Sequence, residues 1–155
     1  MSKKQWGTAT WYLFHTLAEK LKPEYDNPVE IKLLYSIIKK ICLNLPCPDC
    51  TQHATKILAT ANENYFTSSK EIFKTFLFQF HNKVNKSLGY KEMNNAELST
   101  KYSFAITSKI INNFIYVMNI KSNDLKITLM KTQNKDAYMS TLTDYLNKNI
   151  HKFNY

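Results

Sequence analysis

Apolar and polar positions follow a helical period along most of this chain. Between residues 8 and 21, Trp11, Leu13, Phe14, Leu17, Ala18 and Leu21 recur at helical spacing, and Pro23 closes the run. A second helix is expected to start at Asn27. Asn27 suits the cap, Pro28 the first turn and Glu30 the capping-box position, and Ile31, Leu34, Tyr35, Ile38 and Cys42 form one stripe. Leu45-Pro46 breaks it, a third helix follows over about residues 48–60, and Asn62 and Asn64 mark a loop. Ser68-Ser69-Lys70-Glu71 reads as a second capping box. It opens a long helix through Ile72, Phe73, Phe76, Leu77, Phe80, Val84 and Leu88, which Gly89 closes. Four helices with short connections predict an antiparallel bundle.

Beyond Lys91 the pattern changes. Asn94-Asn95-Ala96-Glu97 predicts a helix leading through Tyr102, Ile106 and Ile110 toward Met118. From Ser122 to Met130, Leu125, Ile127 and Leu129 alternate as in a strand. Asp136 to Phe153 reads as an amphipathic helix with Tyr138, Leu142, Tyr145, Leu146, Ile150 and Phe153 on one side.

Composition sharpens this picture. A chain of 155 residues can bury a real core, and only two glycines and four prolines leave helices dominant. Aromatic residues make up 14%, which suits either an aromatic core or a wall for a flat ring system. The net charge of +9 is carried by lysine alone, scattered without dense runs. Sequence-specific nucleic-acid readers lean on arginine for bidentate contacts, so no specific nucleic acid is expected as ligand. Met1-Ser2-Lys3-Lys4-Gln5 runs into Trp6 without an apolar stretch, so no secretory signal is expected. The apolar run from Ile110 to Ile120 is short and broken by asparagines, so no membrane span is expected either.

Three cysteines, two of them close together, do not make a disulfide scaffold. Cys47-Pro48-Asp49-Cys50 sits at a predicted helix start, where the dipole and free amides favour a thiolate. Asp49 partly opposes that effect. Two thiolates at this spacing are also half a zinc site, with His53 near, Cys42 facing the core and His81 distant in sequence. A thioredoxin-like arrangement needs a strand before the motif, whereas the stretch from Ile31 to Leu43 has helical spacing. A second cluster places His81, Val84, Asn85 and Leu88 on one helix face, flanked by Lys83 and Lys86. Polar groups on an apolar stripe need hydrogen-bond partners. Trp11 and His15 repeat the theme four residues apart. Such surfaces suit a purine or an isoalloxazine ring, and periodicity does not choose between them.

Three motifs resemble the Erv/ALR sulfhydryl oxidases over about residues 5–100. They are Trp6-Gly7-Thr8-Ala9-Thr10-Trp11-Tyr12-Leu13-Phe14-His15-Thr16-Leu17-Ala18, Leu45-Pro46-Cys47-Pro48-Asp49-Cys50, and Phe80-His81-Asn82-Lys83-Val84-Asn85-Lys86-Ser87-Leu88-Gly89. The minimal cysteine set is most similar to the enzymes of large DNA viruses. The resemblance implies an all-α fold, a four-helix bundle plus a short fifth helix, with a mostly helical C-terminal extension. It places an FAD-binding sulfhydryl oxidase domain in residues 1–100 and an extension of unknown role in residues 101–155. It also implies noncovalent FAD, no metal, a homodimer, and a reaction in which two thiols become a disulfide while oxygen becomes hydrogen peroxide.

Carried over by position, Cys50 is the flavin-proximal cysteine and Cys47 the outward one. Gly7, Thr8, Trp11, His15, His81, Asn82, Val84, Asn85, Lys86 and Leu88 are the matching cofactor contacts, and Tyr90 and Lys91 continue along the cofactor. His53 joins this set as the match of a histidine in several viral members. The chain departs from the family at Thr8, where arginine is common, and at Phe78, which replaces a cysteine of a second disulfide. It holds no shuttle dithiol, so electrons are expected from a separate dithiol protein, with a thioredoxin-like carrier as one candidate. The viral likeness points to host cytoplasm or a virion. The alternative is a non-enzymatic helical module that binds zinc or a partner through Cys47, Cys50 and His53.

Overall fold

A computed structural model describes residues 2–120 and 125–155, apart from the side chains of residues 126–128, 130 and 131. Among the described residues there are eight α-helices and no strand: α1 (Lys3–Lys20), α2 (Pro28–Cys42), α3 (Pro48–Ala59), α4 (Glu63–Phe66), α5 (Lys70–Ser87), α6 (Asn95–Ser103), α7 (Thr107–Asn119) and α8 (Leu125–Asn149). The fold is all-α, as the pattern predicts. Side chains that accept from free amides set the helix starts. Ser2 accepts from Gln5 N, so α1 begins at Lys3, ahead of its apolar run. Asn27 caps α2 as expected, but the Glu30 carboxylate turns away to Lys152 at 2.8 Å. Ser69, rather than Ser68, caps α5 by accepting from Ile72 N. Asn94 and Glu97 complete a reciprocal capping box on α6.

Three expectations need correction. The loop at Asn62 and Asn64 contains the single turn α4, capped by Asn62. The helix expected from Asn94 to Met118 is broken at Phe104, and the bend lets both α6 and α7 pack on α1. Lys20 Nζ closes the break by donating to Ser103 O at 2.7 Å. The alternation of Leu125, Ile127 and Leu129 is helical, because α8 starts at Leu125. A strand there would need a pairing partner, whereas a helix satisfies its own backbone. Residues 122–124 of that segment lie outside the described residues.

Pairs α1–α5 and α2–α3 build the bundle, α7 lies on α1 and α8 lies on α2. One core runs through Phe14, Ile38, Phe73, Leu77, Phe114 and Leu142. The C-terminus is tied into the bundle at several points. Phe153 pairs with Leu21, Asn154 N donates to Lys20 O at 2.7 Å, and Thr107 Oγ1 donates to Asn154 O at 2.7 Å. No helix among the described residues is long and apolar enough to cross a membrane.

Candidate active site

Two prolines frame the dithiol. Pro46 follows the buried Leu45, and Pro48 opens α3. Proline in the first helical turn lacks only an N–H that the helix does not use. Cys47 is the N-cap of α3, and its sulfur accepts from Cys50 N at 3.3 Å. One turn of helix thereby brings the two Cα atoms to 5.2 Å, and the sulfurs are joined as a disulfide. The same amide faces any thiolate that forms on Cys47 and favours its charge.

Behind Cys50 lies a cavity of about 540 Å³ between α1, α3, α5 and α6. That volume falls within the roughly 300–1,000 Å³ common for ligand pockets. Its walls are largely flat rings. Trp11 stacks on His81 with centroids 4.1 Å apart and planes 8° apart, and Phe80 meets Trp11 edge-on. Tyr102, from α6, stacks on His15 and meets Tyr12 edge-on. Lys3, Lys4 and Lys101 line the cavity against the carboxylate of Asp49, so its charge balance favours an anion. Lys101 Nζ lies 4.8 Å from the Tyr12 ring centroid. Rings, lysines and a redox-type sulfur fit a flat, anionic, electron-accepting ligand.

The cavity brings together ten of the residues singled out from sequence: Gly7, Thr8, Trp11, Cys50, His53, His81, Val84, Asn85, Leu88 and Tyr90. His15 stands behind His81, with His15 Nε2 and His81 Nδ1 2.9 Å apart. Burial holds the His15 imidazole well below its usual pKa, aided by His81 and then Lys101. Burial and then Lys101 bring His81 down to about 4. Asn82 does not line the cavity; it clamps the chain beyond α5. Its amide donates to Met93 O and accepts from Met93 N, both at 2.9 Å. Asn85 holds the same segment, donating to Lys91 O at 3.4 Å. Gly89 allows the chain to turn there, with a φ of 74°. Lys86 and Lys91 are exposed and do not line the cavity, and Cys47 lies just outside it.

Sequence reasoning missed Tyr12, Met93, Lys101 and Tyr102 on the wall. The adjacent Lys101 and Tyr102 on a short helix were the available signal. Cys42 also borders the cavity, and burial pushes its thiol up to about 12. Among the described residues no group of three or more His, Cys, Asp or Glu side chains is arranged to hold a metal.

Fold and site together define a class: a helical dithiol protein whose disulfide borders a ring-walled, lysine-lined cavity. The family model described as the Erv1 / Alr family matches residues 8–103, and the chain belongs to that family. A protein of Invertebrate iridescent virus 6, provisionally named an FAD-linked sulfhydryl oxidase, is 33% identical over 89 residues, which is 54% of this chain and 79% of that protein. The FAD-linked sulfhydryl oxidase of Arabidopsis thaliana is 34% identical over 91 residues, 57% of this chain and 45% of the plant protein. An FAD-linked sulfhydryl oxidase of Saccharomyces cerevisiae is 34% identical over 88 residues, 56% of this chain and 42% of the yeast protein. The chain therefore spans less than half the length of these two cellular relatives. No solved structure matches it.

Proposed function

We propose that this protein is an FAD-dependent thiol oxidase that makes disulfides in protein dithiols and reduces oxygen to hydrogen peroxide. The observation that carries this reading is Cys50, joined to Cys47 as a disulfide and lining the aromatic cavity. When bound, FAD supplies the two-electron acceptor between the dithiol and oxygen.

The chain's own chemistry follows from the geometry. A substrate thiolate attacks the Cys47 sulfur, the Cys47–Cys50 bond breaks, and Cys50 leaves as a thiolate beside the cavity. A second substrate thiolate then attacks the mixed disulfide, releasing the substrate disulfide and a Cys47 thiolate that the Cys50 amide stabilises. Trp11 and His81 offer the stacking surface, and Lys101, Lys3 and Lys4 offer charge to the cofactor's phosphates. Lys101 supplies a cation that Thr8 cannot. The neutral His15–His81 pair holds the His81 ring in place.

We take residues 1–100 as the sulfhydryl oxidase unit and residues 101–155 as an extension whose Lys101 and Tyr102 complete the cavity wall. The finer reading adds a homodimer, a thioredoxin-like dithiol carrier as electron donor, and action in host cytoplasm or a virion. The iridescent-virus relative supports the viral setting.

A visible spectrum of the purified protein tests the main reading. Flavin absorption together with oxygen uptake on dithiothreitol supports it, and Cys50→Ser should keep the flavin while ending uptake. Bound zinc without flavin would favour the interaction module instead. In this structure both motif sulfurs are already committed to each other.

A further inference from the structure

Leu45 stands two residues before Cys47 and lines the cavity. Its backbone is held on both sides. The N–H donates to Thr51 Oγ1 at 3.1 Å, and the carbonyl accepts from Asn134 Nδ2 at 2.8 Å. Thr51 is local, on α3. Asn134 lies on α8, 89 residues further along and outside the span matched by the family. The segment it grips has few ties of its own, because Pro46 and Pro48 have no N–H to give.

Resting on the thiol-oxidase reading, we infer that Asn134 is a positioning residue for the Cys47–Cys50 pair, through which the C-terminal helix fixes the entry to the dithiol loop. Asn134 acts on neither sulfur directly. By holding the Leu45 carbonyl it restricts where Cys47 can travel once reduced, and so raises the effective concentration of one thiol at the other. The bond is partly buried, so water replaces it poorly. Its loss should shift the dithiol–disulfide balance about fivefold toward the dithiol.

The test is anaerobic equilibration of the full chain with reduced and oxidised glutathione. The Cys47–Cys50 disulfide fraction is read by alkylation and mass spectrometry. Asn134→Ala is expected to lower the equilibrium constant for disulfide formation about fivefold. Asn134→Asp, nearly isosteric but without an amide donor, should shift it the same way and serves if the alanine variant does not fold. Thr141→Ala is the control. It removes the 3.0 Å bond from Lys40 Nζ on the same α2–α8 seam without touching Leu45, so it should leave the constant unchanged. An unchanged constant in both Asn134 variants, or an equal fall in Thr141→Ala, overturns the proposal. A shift in a chain that binds no flavin would sink the oxidase reading and keep the positioning role. A flavin-loaded, active enzyme without the shift would do the reverse.

Discussion

His15 Nε2 and His81 Nδ1 share one hydrogen bond of 2.9 Å, so one imidazole donates, the other accepts, and protonating both would break the pair. Burial is the main reason both rings resist a proton, and Lys101 adds to it. Free histidine titrates near 6.5, while His81 does so at about 4. Below pH 6.5 the unfolded chain therefore takes up protons that the native state refuses. Stability from this source is complete above about pH 6.5 and falls as pH drops toward 4, with a slope approaching ~1.4 kcal/mol per unit for each ring. Urea unfolding between pH 7 and 4.5 reads this directly. His81→Gln should flatten the slope, and an unaltered slope in that variant would remove the pair from the explanation.

Lys101 is exposed, close to two tyrosine rings, and lines the cavity from α6. Lys101→Ala should weaken flavin retention about tenfold, a typical loss for one charge-assisted contact. It should also raise the His81 pKa, since the lysine now pushes it down. The ratio of flavin to protein absorbance after dialysis checks the first effect, and imidazole titration by NMR the second. A variant that keeps its flavin through dialysis as the parent does would take Lys101 out of the cofactor site.

Elements whose signal is local were legible in the sequence. Asn27-Pro28 starts α2, Cys47-Pro48 starts α3, and the stripe from Ile72 to Val84 lies on α5, with Leu88 as its C-cap. The break at Phe104 was hidden because Tyr102, Ile106 and Ile110 keep a four-residue spacing across it. Asn82 shows the limit of reading a site from side-chain types. Its partner is the backbone of Met93, and a backbone partner leaves no mark in the sequence. The same holds for Asn134 and the Leu45 carbonyl. Tyr102 escaped for another reason, since an aromatic residue on a helix face looks alike whether it fills a core or walls a cavity.

Cys42 offers a thiol beside the active disulfide, yet it is 2% exposed and its pKa is pushed up to about 12. Only the thiolate reacts, so at pH 8 this sulfur should resist iodoacetamide in the native chain and label fully in urea. Cys42→Ser should cost roughly 1–3 kcal/mol, because it buries a hydroxyl where a thiol packed. Native-state labelling of Cys42 at the rate of a free thiol would show that its shell opens far more readily than this structure implies.

Thr16 is 1% exposed, and its hydroxyl has no hydrogen-bond partner among the described residues. Thr10, earlier on the same helix, differs: its hydroxyl donates to Trp6 O at 2.7 Å. An unsatisfied buried hydroxyl costs about 1–3 kcal/mol, and valine has the same branched shape without it. Thr16→Val should therefore stabilise the fold by about 1 kcal/mol, seen as a higher urea midpoint with an unchanged slope. Thr10→Val removes a bond that is made and should give no such gain. A lower midpoint for Thr16→Val would mean that its hydroxyl is satisfied in solution, most simply by a bound water held between α1 and its neighbours.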